Sequence, residues 1–197
     1  MKIVFAASEA APFIKTGGLG DVAQALPKAL AEYKGNQILL FLPYYASIKS
    51  NPSIEVERVA EFTTRLSWRN AYVGLMRLKS KKRKLRVYFI DNEQYFGRAR
   101  VYGECDDGER FAYFCKAILE SLVYLGETPD IIHCNDWLRI LDQDIINDYN
   151  ARMNQLRKEF KQQEAEKQRR IRGEAEDAPK YAAGDDMDRI NRNADYF

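Results

Sequence analysis

Apolar and polar positions divide this chain into short buried runs and amphipathic stretches. Residues 2–7 (KIVFAA) form an apolar run with β-branched members, the pattern of a buried strand. From Asp21 to Tyr33, the apolar residues Val22, Leu26, Ala29, Leu30 and Tyr33 recur at helical spacing and predict an amphipathic helix with that face inward. Pro27 falls inside it and is expected to bend it near its second turn. Residues 37–42 (QILLFL) predict a second buried strand closed by Pro43, and residues 44–57 an irregular connection with a turn at Asn51-Pro52-Ser53. Residues 59–66 and 71–78 predict an antiparallel pair, and residues 85–90 (LRVYFI) a further strand. The aromatic and basic stretch 92–102 reads as a loop.

The clearest helix pattern starts at Asp106. Phe111, Phe114, Cys115, Ile118, Leu119, Leu122 and Val123 lie on one face, and Asp106 with Glu109 has the spacing of a capping box. It ends near Gly126, Pro129 blocks its continuation, and residues 130–133 predict a short strand running into a loop at 133–137. Strands alternating with helices imply an α/β domain with a largely parallel, Rossmann-like sheet, whose ligand edge is at the carboxyl ends of the strands. Both the loop after the first strand and the loop at His133 belong to that edge.

The first of these loops carries Lys15-Thr16-Gly17-Gly18-Leu19-Gly20-Asp21-Val22. Glycines at a strand-to-helix joint let the backbone approach a ligand and aim its amides at an anion, and Lys15 adds a positive charge. Composition and position alone leave two readings, an anion cradle and a plain tight connection. Asp21 likewise reads either as a carboxylate favoured by the helix dipole or as a ligand contact. His133, the single histidine, reads either as a hydrogen-bonded structural residue or as a site residue, and its place at a strand end favours the second.

The longer strings narrow the choice. Residues 1–13 (MKIVFAASEAAPF) leading into the glycine loop, then Asp106-Asp107-Gly108-Glu109-Arg110-Phe111-Ala112, then Asp130-Ile131-Ile132-His133-Cys134-Asn135-Asp136-Trp137 resemble, in order, the motifs of bacterial and plant glycogen/starch synthases. The resemblance implies the amino-terminal half of a two-domain GT-B glycosyltransferase, moving glucose from ADP-glucose to the non-reducing end of an α-1,4-glucan with retention. It implies that Lys15, Gly17, Gly18 and Asp21 bind the donor, and that His133 and Asp106 line the reacting centre. Asp106 is equally a good N-cap. Asn135 and Asp136 are expected to order their loop, and Trp137 to be core. The resemblance implies no cofactor and no metal.

After Trp137 the family pattern is not followed. Leu138, Leu141, Ile145, Tyr149, Met153, Leu156 and Phe160 form a stripe that predicts an amphipathic, increasingly charged helix over 138–172, and 173–197 has the composition of a disordered tail. The expected organisation is a truncated catalytic domain at 1–137, a helix capable of self-association, and a tail. A truncated gene, a fusion and a non-native terminus are all compatible with that break. The missing second half of the cleft predicts that the fragment is inactive. A non-catalytic binding protein derived from the same domain is the alternative.

Bulk properties add exclusions. A net charge of +2 over 197 residues gives no argument for nucleic acid. The run Lys79-Ser80-Lys81-Lys82-Arg83-Lys84 lies between two strand patterns, where a solvated hairpin is favoured over a polyanion site. Three cysteines (Cys105, Cys115, Cys134) fit neither a metal site nor a disulfide framework. No apolar run is long enough for a bilayer, and no signal peptide or transit-peptide composition is visible, so a cytoplasmic, bacterial-type enzyme is expected.

Overall fold

The computed structural model describes residues 1–66, 69–81, 83–140, 151, 154–155, 158–159, 161–162 and 164–170. The chain divides into two units, Met1–Ala151 and Arg152–Phe197. In the first unit, six strands make one sheet in the order β3-β4-β5-β2-β1-β6. They are β1 (Lys2–Ala6), β2 (Gln37–Pro43), β3 (Val56–Leu66), β4 (Arg69–Leu78), β5 (Leu85–Asp91) and β6 (Ile131–Cys134). β5, β2, β1 and β6 run parallel, and β4 and β3 extend the sheet by antiparallel pairing. The fold is the expected α/β class with a mostly parallel sheet.

β1 and β2 are continuous apolar runs because both their faces and both their edges are covered. Val4, Phe5, Ala6, Ile38, Leu39, Phe41 and Leu42 have no solvent exposure. The connection from β1 to β2 crosses by helix α1 (Gly18–Glu32), and that from β5 to β6 by helix α4 (Asp107–Tyr124). The two crossovers travel in opposite directions along the sheet, so right-handed connections put α1 and α4 on opposite faces.

α1 corrects the expected face. It begins at Gly18, three residues earlier than the periodicity predicts, and buries Gly20, Ala23, Pro27 and Ala31. Val22 and Tyr33 are exposed. Small side chains let the helix backbone lie close to the sheet, and a count of large apolar residues misses such a face. Pro27 consequently sits deeper in the helix than its second turn.

α4 follows its pattern: Phe111, Phe114, Cys115, Ile118, Leu119 and Leu122 are all buried. It closes with a Schellman turn, in which Glu127 N–H donates to Leu122 O (2.9 Å) and Gly126 N–H to Val123 O (3.0 Å). Gly126 has φ +63°, a left-handed value suited to glycine. Its successor Glu127 then pairs with Lys2 and, at 2.6 Å, with Arg86, tying the helix end to the starts of β1 and β5.

Two segments read as loops contain short helices, α2 (Ala46–Lys49) and α3 (Glu93–Phe96). α3 is capped by Asn92, whose side chain accepts from Tyr95 N–H at 3.2 Å. The β3–β4 connection is tighter than the four residues expected, because Leu66 already pairs with Arg69. The basic run falls, as expected, between two antiparallel strands, β4 and β5. Past β6 the backbone makes a 3-10 turn, Asp136–Ile140, where the sequence pattern starts a helix at 138. Leu138 is fully buried and its carbonyl accepts from Cys115 Sγ (3.7 Å), so it belongs to the α4 core.

In the second unit, residues 154–155, 158–159, 161–162 and 164–170 are helical and exposed, with Gln155 Nε2 donating to Glu159 Oε1 at 3.1 Å. Leu141, Ile145, Tyr149, Met153, Leu156 and Phe160 of the expected stripe, and the tail 173–197, lie outside the described residues.

Candidate functional site

Strand order reverses at β1: the chain moves from β1 to β2 on one side and returns to β6 on the other. In open α/β sheets the crevice at such a reversal, outside the carboxyl ends of the strands, is where ligands bind. Here its two walls are the connection after β1, which contains the glycine loop, and the end of β6 with the turn that follows it, His133 to Trp137.

The first wall is built around Glu9. This carboxylate is 2% exposed, and accepts from Thr16 N–H (2.5 Å), Thr16 Oγ1 (2.6 Å) and Gly20 N–H (3.2 Å). Gly17 is the N-cap of α1 and has no side chain to cap with. Gly20 is brought close to Lys15: a Cβ on Gly20 would fall 2.8 Å from Lys15 Cγ and 3.3 Å from its Cα. Lys15 Nζ pairs with Asp21 Oδ1 at 2.7 Å, both side chains being about half exposed or more. Asp21 is therefore not the cap; it lies in the first turn beside the lysine. A Cβ on Gly18 would meet nothing within 4 Å, so neither packing nor backbone conformation accounts for a glycine there.

On the second wall, His133 is paired in register with Phe5, and the two rings stack at 4.6 Å. The imidazole is exposed, and among the described residues it makes no hydrogen bond. Asn135 orders its loop as expected: its N–H (3.2 Å) and Nδ2 (2.9 Å) both donate to Ala6 O. Asp136 has φ +52°, which an aspartate tolerates better than most residues. Trp137 is a correction. It is 41% exposed, stacked on Phe111 at 5.8 Å, because Leu138 takes the core position beside it.

A third element closes in from α3 and α4. Arg98 donates to both Asp106 carboxylate oxygens, at 2.5 and 2.6 Å. This pair holds the Asp106 pKa below the usual carboxylate value. The expected capping box is not formed: Asp106 occupies the N-cap position without a side-chain cap bond, and Glu109 turns to Arg69 and Tyr95. Asp107 instead orders the approach, accepting from Gly103 N–H (2.7 Å) and from buried Arg110, which also donates to Val101 O (3.0 Å). Tyr102 links this segment to the first wall through a 2.6 Å bond to Ser8 Oγ. Burial first, then the charges of Glu9 and Asp136, push its phenol up to about 12 against the opposing pull of Ser8 and Arg110.

The structure thus joins Lys15, Gly17, Gly18 and Asp21 at the start of α1, and sets His133 on β6, the strand beside β1. Asp106 is held by Arg98, and Tyr102, four residues before it, is tied to Ser8 of the first wall. Sequence reasoning assigned no role to Glu9, Arg98 or Tyr102. The signal for Glu9 was a lone acid inside an apolar run. Arg98 and Tyr102 carried none: Ser8 is 94 residues from Tyr102, and the loop that joins Arg98 to Asp106 has no period that would pair them. Among the described residues, no group of three or more His, Cys, Asp or Glu is arranged to hold a metal, and no helix is long and apolar enough to cross a membrane.

A glycine loop opening a helix at the reversal of a mostly parallel sheet defines an α/β domain of the Rossmann-like kind. The starch synthase catalytic domain family matches residues 2–160, so the chain belongs to that family, and the match extends past Trp137. It is 48% identical over 161 residues to a glycogen synthase of Clostridium novyi, covering 80% of this chain and 33% of the relative. It is 52% identical over 138 residues to a glycogen synthase of Desulfitobacterium hafniense, covering 70% and 29%. It is also similar to the catalytic domain of starch synthase IV from Arabidopsis thaliana bound to ADP and acarbose, with TM-score 0.61 and 35% identity, covering 69% of this chain and 28% of that one. The chain therefore spans about a third or less of the length of the relatives it matches.

Proposed function

We propose that this chain forms the donor-loop half of a glycogen/starch synthase, a retaining glycosyltransferase that moves glucose from ADP-glucose to the non-reducing end of an α-1,4-glucan. The observation that carries this reading is the glycine loop. Among the described residues the amides of Gly17, Gly18 and Leu19 have no acceptor, and Lys15, just before them in the chain, holds its ammonium against Asp21 in the same helix turn. Two relatives named glycogen synthase, and a relative solved with ADP and acarbose, support the same substrate classes.

In this proposal Lys15 and the amides of Gly17 and Gly18 meet the donor diphosphate and stabilise the charge that grows on departing ADP. Asp21 sets Lys15 against the donor. His133, exposed on the other wall, touches the transferred glucose, and Asp106, held ionised by Arg98, lines the same crevice. No metal or other cofactor takes part, and a cytoplasmic setting is part of the reading. The remaining transition-state contacts come from a second domain, so the 197 residues by themselves are expected to be inactive.

Titrating the isotope-labelled chain with ADP, followed through backbone amide signals, tests the donor reading. It is supported by saturable changes confined to residues 15–21 and weakened at least tenfold by Lys15→Ala. ADP-independent spectra, or changes elsewhere only, overturn it. Radiolabelled glucose entering glycogen with the 197-residue chain alone, and lost in Lys15→Ala, overturns the inactivity.

A further inference from the structure

We infer that Glu9 is a positioning residue for the donor loop: it acts as the N-cap that α1 lacks, and so decides which loop amides remain open. A helix start leaves its first amides without intrahelical acceptors, and a side chain at the N-cap ordinarily accepts from the second or third of them. At Gly17 that side chain is missing. Glu9 Oε1 takes the third amide, that of Gly20, while Oε2 takes both the N–H and the hydroxyl of Thr16. The carboxylate thereby clasps the loop on both sides of Gly17, where an added Cβ would lie 3.7 Å from Oε1.

A side chain at position 17 would start from a Cβ 3.7 Å from Oε1, so a serine or aspartate there would crowd Glu9 and compete with it for the Gly20 amide. Capping from Glu9 satisfies Gly20 and leaves the amides of Gly17, Gly18 and Leu19 without an acceptor among the described residues. Burial makes the arrangement directional. A carboxylate with 2% exposure must keep its hydrogen bonds, so the loop is held to Glu9 before any ligand arrives. The ordering is then complete in the free protein, which is where preorganisation strengthens binding.

This inference rests on the donor-loop reading above, and its test separates the two. Amide hydrogen exchange of the whole chain is compared for wild type, Glu9→Gln and Glu9→Ala, with ADP affinity read from the same amides. Glu9→Ala is expected to speed exchange at Thr16 and Gly20 by tenfold or more and to weaken ADP at least tenfold, with the amides of α4 unchanged. Glu9→Gln, which keeps one acceptor oxygen, should fall between. Unchanged exchange at Thr16 and Gly20 in Glu9→Ala overturns the clasp, and faster exchange with unchanged ADP affinity overturns the positioning role. Should Glu9→Ala also lose α4 protection, the same two criteria are applied to Glu9→Gln. Wild-type amides that ignore ADP overturn the donor reading, and positioning with it, while the exchange arm still decides whether Glu9 holds the loop.

Discussion

Arg98 grips Asp106 with both terminal guanidinium nitrogens, one on each carboxylate oxygen. The geometry is the bidentate form in which an arginine fixes the plane of a carboxylate as well as its charge. Asp106 is thus held in one orientation and in its anionic form.

Arg98→Ala should release it. The Asp106 titration midpoint, followed by carboxyl-carbon NMR, should lie below the ordinary aspartate value in the wild type and rise toward it in the variant. Both side chains are about a quarter exposed, so the stability change should be under about 1 kcal/mol. A midpoint that does not move would assign the shift to something other than this pair.

Glycines 18 and 20 should respond in opposite directions. Gly18→Ala meets open space and adds helix propensity, so it should raise stability by up to about 1 kcal/mol while weakening ADP. Gly20→Ala drives a methyl into Lys15, whose Cα and Cβ cannot swing aside, and should destabilise by about 1–3 kcal/mol. Urea unfolding of the two variants beside the wild type checks both signs.

His133 makes a ring stack and little else among the described residues. In a complete synthase carrying this segment, His133→Phe should keep the stack and the melting temperature yet lose most turnover. His133→Ala should lose about 0.5–1.5 kcal/mol as well as turnover. Equal activity in His133→Phe and wild type would make the residue structural.

Glu127 sets an acid limit on stability. Burial alone would raise its pKa, but hydrogen bonds and charge from Lys2 and Arg86 outweigh that and lower it. Its contribution is therefore full above the unfolded glutamate value, about 4.3, and is lost as pH falls through the lower folded value. Glu127→Gln should cost about 1–2 kcal/mol at pH 7, between the exposed and buried limits, and should flatten the fall in stability below pH 5. Melting temperatures measured from pH 3 to 7 would show it. A parallel offset at every pH would reject the assignment.

The strands were legible because burial on both faces leaves an unmistakable apolar run, as in KIVFAA and QILLFL. Strand–helix alternation also placed the glycine loop and His133 at the same carboxyl edge of the sheet, where the parallel pairing of β1 and β6 puts them. The inner face of α1 was not legible. Periodicity weighs large side chains, and this helix packs on Gly20, Ala23 and Ala31 while Val22 and Tyr33 face solvent. The acids near α4 were misassigned for another reason. Asp106 and Glu109 have the spacing of a reciprocal cap, but Arg98, Arg69 and Tyr95 offer stronger partners that spacing along one helix cannot reveal. Trp137 was expected in the core, but the chain turns tightly after β6 and sends Leu138, the first residue of the expected apolar stripe, inward instead.

The double hydrogen bond from Asn135 to Ala6 O has a mechanical meaning. The glycine connection departs at the very next residue, so both sides of the crevice are measured from a single peptide. Their gap is then insensitive to twisting elsewhere in the sheet, because a tilt of β1 carries both along together. Replacing Asn135 would introduce play between two walls that are otherwise referred to one fixed point, and substitutions far away in β3 or β4 would not.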